Sequence, residues 1–264
     1  MQACLGAEYE IIALGHDRLE LGNPSTTDLI VETKADLVIH GAAYTNVDGC
    51  ARDPELAYRI NALGTQYVAH ACRRLDAPLV YISTNEVFAG DANQPYFEYD
   101  PTRAINAYGR SKLAGEQAVR DLLDNYYIVR VSWLFGGERN FVRTVLRLAA
   151  NPPEGGVRMV NDEIGSPTYA PDVAEGVRQL IGTLRYGIYH FVNSGYCSRF
   201  AFAQAIASQG GFDPNIFQPI SLSDYRRDST PPPFAPLANL AGTNLGINFR
   251  PWEAAVAEYL TTLS

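Results

Sequence analysis

Tyr108-Gly109-Arg110-Ser111-Lys112 sets a phenol and an ammonium four residues apart. On a helix, side chains at that spacing share one face. A tyrosine held beside a lysine can act as a general acid or base, because the positive charge favours the phenolate and lowers the phenol's pKa toward working pH. Upstream, Ser83-Thr84 closes the apolar run Pro78-Leu79-Val80-Tyr81-Ile82. A hydroxyl at a strand end, with Tyr and Lys opening the next helix, can manage a proton at a reacting oxygen. Thr84 alone would also suit a turn cap, and Lys112 alone a solvated face. The set of three points to catalysis.

Short apolar runs alternate with helical patterns on either side of this stretch. Tyr9 to Leu14, Asp36 to His40, Pro78 to Ile82 and Tyr127 to Val131 read as strands. Pro54 suits the first turn of a helix, and Leu56, Ile60, Leu63 and Tyr67 recur at helical spacing. Residues 109–123 read as a helix. Strands separated by helices imply right-handed crossovers and a parallel sheet. Beyond Trp133 the spacing predicts helices over 140–150, 172–184, 200–208 and 252–263. It also predicts a short strand over 157–160 and one over 187–192 that rejoins the main sheet. Ser229-Thr230-Pro231-Pro232-Pro233-Phe234-Ala235-Pro236 cannot be regular helix or central strand. It is expected as an extended loop over a smaller lobe.

The 264 residues suffice for one large α/β core with an attached lobe. A net charge of −8 argues against nucleic acid as the main partner but leaves room for an anionic small molecule held by a few local cations. No run approaches a membrane span. Cys4, Cys50, Cys72 and Cys197 are scattered, with no CxxC and no histidine cluster. That pattern favours reduced thiols in the cytoplasm, packed as small apolar side chains, over a disulfide framework or a metal site.

Six ordered segments together resemble the extended short-chain dehydrogenase/reductases, and specifically the dTDP-4-dehydrorhamnose reductase family. They are Gly41-Ala42-Ala43-Tyr44-Thr45-Asn46-Val47-Asp48, Pro54 to Thr65, Ser83-Thr84 with Val87-Phe88, Tyr108 to Glu116, Val131 to Gly136, and Gly165-Ser166-Pro167-Thr168. The resemblance spans nearly the whole chain. It implies a doubly wound parallel Rossmann-type sheet, with residues 1–139 as the cofactor-binding domain and 140–264 mostly as the substrate lobe. It implies reduction of the C4 keto group of dTDP-4-dehydro-L-rhamnose to dTDP-L-rhamnose with NADPH or NADH. Tyr108 would donate the proton. Lys112 would hold the nicotinamide ribose and tune Tyr108. Thr84 would hydrogen-bond the reacting oxygen, and Trp133 would line the sugar pocket. Ala42, Ala43, Tyr44 and Thr45 would let the cofactor approach closely, and Asn61 lies on the helix that flanks it. A homodimer is left open.

Two departures stand out. The family usually reads Ser-Thr-Asp-Tyr-Val-Phe where this chain has Ser83-Thr84-Asn85-Glu86-Val87-Phe88. Asn85 loses a charge and Glu86 replaces an aromatic ring with a carboxylate, so substrate choice at these two positions is open, with Glu86 pointing to solvent as the plain alternative. The second departure is at the front. Family members open with a strand and a glycine-rich turn whose backbone N–H groups hold the cofactor diphosphate. This sequence starts within what resembles the first helix, so the first strand and the glycine turn are expected to be lacking. Poor cofactor binding is then expected, as are weakly anchored strands at Tyr9 to Leu14 and Asp36 to His40. After Leu14, Asp17 suits a ribose hydroxyl and NAD, while Arg18 suits a 2′-phosphate and NADP. A non-catalytic regulatory subunit of the same fold, like the β subunit of methionine adenosyltransferase, and another nucleotide-sugar reductase or epimerase are the competing readings.

Overall fold

The computed structural model describes residues 1–263. In chain order the elements begin with α1 (Gln2–Leu5), α2 (Thr26–Glu32), β1 (Val38–His40), α3 (Val47–Arg52), α4 (Pro54–Tyr58), a π-helical segment at Arg59–Leu63, and α5 (Gly64–Leu75). Next come β2 (Leu79–Thr84), α6 (Ala107–Leu122), β3 (Tyr126–Val131), β4 (Leu134–Phe135), α7 (Phe141–Ala150), β5 (Val157–Val160), β6 (Ile164–Gly165) and β7 (Thr168–Tyr169). The chain closes with α8 (Ala170–Ile181), β8 (Gly187–His190), β9 (Cys197–Ser198), α9 (Arg199–Gln209), β10 (Phe217–Ile220), α10 (Leu240–Asn244) and α11 (Trp252–Thr261).

The main sheet is parallel throughout, in the order β1-β2-β3-β8. Its registers pair Val38 with Leu79, Leu79 with Tyr126, and Tyr127 with Gly187. β2 and β3 are apolar and buried along nearly their whole length, as strands covered on both faces must be. Val80, Val129 and Tyr127 pack with Val173, Val177 and Leu180 of α8 on one side. Leu79, Tyr81 and Ile128 pack with Val68, Ala69 and Cys72 of α5 on the other. A separate core gathers Phe135, Val142, Val145, Phe202, Ile206, Trp252 and Val256, and so joins α7, α9 and α11. β5 pairs with β10 beside it.

Local chemistry sets the boundaries. Asn106 caps α6 by accepting from Gly109 N at 2.8 Å, Asn140 caps α7, and Ser198 caps α9. Asp53 caps α4, with Pro54 in its first turn. The 187–192 reading rejoins the sheet as expected, through β8 against β3. The reading of Tyr9 to Leu14 as a strand is corrected. That segment forms no strand, and Tyr9, Ile11 and Ile12 are exposed. An apolar run becomes a strand only with a ladder partner, and β1 is hydrogen-bonded on one side alone, to β2. The proline-rich 229–236 segment contributes only isolated bridges, Phe234 to Asp91 and to Ile164. No helix among the described residues is long and apolar enough to cross a membrane.

Candidate active site

β2 delivers Ser83-Thr84 at its C-terminal end, and the chain then turns tightly through Asn85–Val87. Thr84 Oγ1 accepts from Glu86 N at 3.2 Å, so the threonine does cap this turn. The same hydroxyl also favours the ionised form of the Tyr108 phenol. The threonine therefore holds its own turn and bears on the tyrosine at once.

α6 brings in Tyr108 in its first turn and Lys112 one turn later. Lys112 is 2 % exposed, and its Nζ donates to the Ile82 carbonyl at 2.7 Å above the Tyr81 ring, 4.0 Å from the centroid. Burial brings its pKa down to about 7, against the opposing pull of Glu116. The expectation that lysine lowers the phenol's pKa is corrected. Burial and the nearby Glu86 charge raise the Tyr108 pKa above its ordinary value, and the Thr84 hydrogen bond only partly opposes them. The lysine instead spends its charge on a carbonyl and a ring face.

A buried network backs these residues. Glu116, one turn beyond Lys112, accepts from Ser83 Oγ at 2.5 Å and from Arg130 Nε and Nη2 at 3.0 and 2.8 Å. Arg130 reaches His190 Nε2 at 3.4 Å, and His190 Nδ1 faces the carbonyls of Tyr96 and Ala238. All four side chains, from Ser83 to His190, are buried. Strand end, α6 and neighbouring strands are thus locked into one register.

Ala42, Ala43, Tyr44 and Thr45 follow β1 as an open loop, with Ala42 and Thr45 exposed. Asn61, inside the π-helical segment, binds this loop: its Oδ1 accepts from Tyr44 N at 2.7 Å and its Nδ2 donates to Tyr44 O at 3.1 Å and to Ser111 Oγ at 2.9 Å. Ser111 in turn donates to Tyr108 O at 2.7 Å. Both Asn61 donors are used, so its part is to join the loop to the first turn of α6. Asp17 and Arg18 lie in an exposed turn, and Arg18 reaches only the Ala13 carbonyl at 3.5 Å.

Asn85 is buried and donates to the Ala235 carbonyl at 3.1 Å, which anchors the proline-rich segment. Glu86 does not point to solvent. It is half-buried and accepts from Asn106 Nδ2 at 2.6 Å. Burial raises its pKa, and Glu163 adds to the rise while Asn106, Arg227 and Arg199 oppose it. Trp133 is half-buried with φ of 41°, a strained backbone for a bulky residue. Its ring packs against Gly165, where a β-carbon would sit 2.5 Å away, and the Arg199 guanidinium lies 3.6 Å from its centroid. Arg199 also pairs with Glu163 at 3.0 Å.

Sequence reading missed Asn106, Glu163, Arg199 and Arg227. Asn106 had a signal, an Asn three residues before a glycine at a helix start. The others arrive from distant segments. Residues 227–230 run as a strap between α3 and Asn106: Asp48 accepts from Arg227 Nε at 3.2 Å and Ser229 N at 3.0 Å, Arg52 pairs with Asp228, and Asn106 Nδ2 donates to Thr230 O at 3.1 Å.

A parallel sheet whose inner strand ends in Thr84, answered by a helix opening on Tyr108 and Lys112, defines a short-chain dehydrogenase/reductase of the extended type. The family model described as RmlD substrate binding domain matches residues 1–264, and the chain belongs to that family. It is 39% identical over 256 residues to the spore coat polysaccharide biosynthesis protein SpsK of Bacillus subtilis, covering 96% of this chain and 89% of that one. It is 36% identical over 259 residues to the dTDP-4-dehydrorhamnose reductase of Mycobacterium tuberculosis, covering 95% and 84%. Among solved structures, the dTDP-4-dehydrorhamnose reductase of Bacillus anthracis in complex with NADP superposes with a TM-score of 0.93 at 37% identity, covering 97% of this chain and 92% of that one.

Proposed function

We propose that this protein reduces the C4 keto group of dTDP-4-dehydro-L-rhamnose to the alcohol of dTDP-L-rhamnose, using a reduced nicotinamide dinucleotide. The observation that carries the reading is the meeting of Thr84, Tyr108 and Lys112 at the end of β2. The family and its relatives named dTDP-4-dehydrorhamnose reductase support the substrate class.

The residues present suit the nicotinamide-ribose end of the cofactor. Lys112 keeps two of its three N–H donors after binding Ile82, and Ala42 and Ala43 offer no side-chain bulk beside Tyr44. The NADP held by the Bacillus anthracis relative and the exposed Arg18 favour NADPH over NADH. The cofactor supplies the hydride when bound. Tyr108 gives its phenolic proton to the oxygen at C4 and regains one from solvent. Thr84 hydrogen-bonds the same oxygen and holds the phenol's orientation. Lys112 fixes the ribose, and its position is held by Ile82 O. Trp133, Asn85 and Glu86 border the sugar side. Residues 1–139 serve mainly cofactor binding and 140–264 mainly substrate binding. The four unpaired cysteines accord with a cytoplasmic reaction.

The test is incubation of the purified protein with dTDP-4-dehydro-L-rhamnose and NADPH, following nicotinamide oxidation and identifying the sugar product. Formation of dTDP-L-rhamnose is expected at saturating NADPH, the poor cofactor binding expected from the sequence raising the concentration required. Absence of turnover with this substrate, alongside turnover of another nucleotide-linked keto sugar, would reassign the substrate.

A further inference from the structure

We propose that Arg199 is a positioning residue that holds the Trp133 ring as a fixed wall of the sugar pocket, and so helps set which sugar the site accepts. The inference rests on the reading of Trp133 as a residue bordering the sugar side.

Trp133 needs holding. Its φ of 41° is a conformation that bulky side chains rarely adopt, and such strain persists only where the surroundings enforce it. The backbone is secured by a neighbouring strand. Trp133 O accepts from Thr168 N at 3.2 Å, and the next residue, Leu134, pairs with Thr168 between β4 and β7. The ring is secured by side chains instead. Its edge lies on Gly165, where a β-carbon would sit 2.5 Å from Cε2. The Arg199 guanidinium lies over the ring, 3.6 Å from the centroid. Phe202 is stacked farther off, with the centroids 6.3 Å apart.

Arg199 is itself held twice by one residue. It opens α9, directly after the cap Ser198. Its N donates to Glu163 O at 3.2 Å, and its Nε donates to Glu163 Oε1 at 3.0 Å. Glu163 is buried, so this anchor is poorly hydrated and has few other partners to turn to. Glu163 and Gly165 stand two residues apart, the spacing at which extended backbone sends side chains to one face. β9 pairs with this segment, Ser198 opposite Ile164 and Cys197 opposite Gly165. One short stretch therefore carries both the anchor for the arginine and the space for the indole. Arginine suits the place better than lysine, because a planar guanidinium can stack on an aromatic face while its Nε meets a carboxylate.

The emission of Trp133 reads this contact directly. Trp252 is the only other tryptophan, so Trp252→Phe leaves a single reporter. If that background does not fold, subtracting the emission of Trp133→Phe isolates the same signal. Arg199→Met keeps the reach of the side chain and removes the guanidinium. It is expected to shift the Trp133 emission to the red and to open it to quenching by acrylamide. Arg199→Met combined with Glu163→Gln leaves no lone carboxylate and gives the same reading if the single variant is unstable. In the parent background, Arg199→Met should raise KM for the nucleotide sugar by about tenfold, with kcat and KM for NADPH little changed, the pattern of lost substrate binding. Arg199→Lys should recover only part of the loss. Gly165→Ala displaces the ring without altering the arginine and should give the same split. Unchanged emission and quenching in folded Arg199→Met overturn the proposal. So does a sugar KM that rises in Gly165→Ala but not in Arg199→Met. Failure to turn over any nucleotide-linked keto sugar would instead overturn the reading of function, and with it the sugar-pocket half of the proposal, while the emission still decides whether Arg199 holds the ring.

Discussion

Gly109 lies against the backbone carbonyl of Glu86, so close that a β-carbon at position 109 would overlap the oxygen. This contact fixes how α6 meets the turn after β2. Gly109→Ala must push one backbone segment off the other. Overpacking of this kind costs about 1–3 kcal/mol. Denaturant unfolding should show that loss, with turnover falling because Tyr108 moves with the helix. A Gly109→Ala protein as stable and as active as the parent would show that the two segments have slack.

Tyr108→Phe removes one oxygen and little packing. The phenol's partner is Thr84, which keeps its own bond to Glu86 N. The fold should survive, and keto reduction should fall by about 10²–10⁴-fold, the range of general acid catalysis. Circular dichroism and turnover on the same sample check both halves.

His40 and His190 are buried neutral bases. Burial brings both down to about 3, helped by Lys112 for His40 and by Arg130 for His190. Between that value and the ordinary 6.5, the unfolded chain takes up protons that the folded chain refuses. Stability should therefore be intact above about pH 6.5 and fall as the pH drops toward 3. Urea midpoints at about pH 7 and about pH 5 measure it. His40→Gln should flatten the dependence, and an equal slope in that variant would assign the acid sensitivity elsewhere.

The Glu116–Arg130 pair is 2–3 % exposed on both sides. Glu116→Gln leaves a buried guanidinium without its counter-charge, a loss of about 3–5 kcal/mol. Arg130→Met added to Glu116→Gln should recover part of it, because no lone charge then remains. Thermal unfolding of the single and double variants decides the point. A double variant worse than the sum of the singles would contradict it.

Much of this was legible in the sequence. The Tyr108–Lys112 spacing, the hydroxyl at the end of β2 and the return of β8 to the sheet are local patterns, and local patterns are what a sequence displays. Tyr9 to Leu14 has the same apolar texture as β2 yet forms no strand, since pairing depends on a neighbour that the segment's own residues do not specify. Glu163, Arg199 and Arg227 reach Glu86 from segments far along the chain, and nothing in their own neighbourhoods marks them. The positive φ of Trp133 was invisible for a related reason: no preference of tryptophan favours it, and the ring's seat against Gly165 comes from a distant segment. The direction of the Tyr108 shift also escaped, because it is set first by how deeply the phenol is buried, which the spacing of Tyr108 and Lys112 does not reveal.

The strap at 227–230 gives the site a sensitivity to dissolved salt. Arg52 and Asp228 are more than half exposed, and Arg227 and Asp48 are partly so. Mobile ions screen such pairs, with a reach of about 8 Å at physiological ionic strength. The Ser229 N to Asp48 bond and the Thr230 O to Asn106 bond are shorter in range and less affected. Rising salt therefore loosens the outer fastening of the strap before the inner one. The strap then frays from its arginine end, with its last hold on Asn106, the same side chain that caps α6.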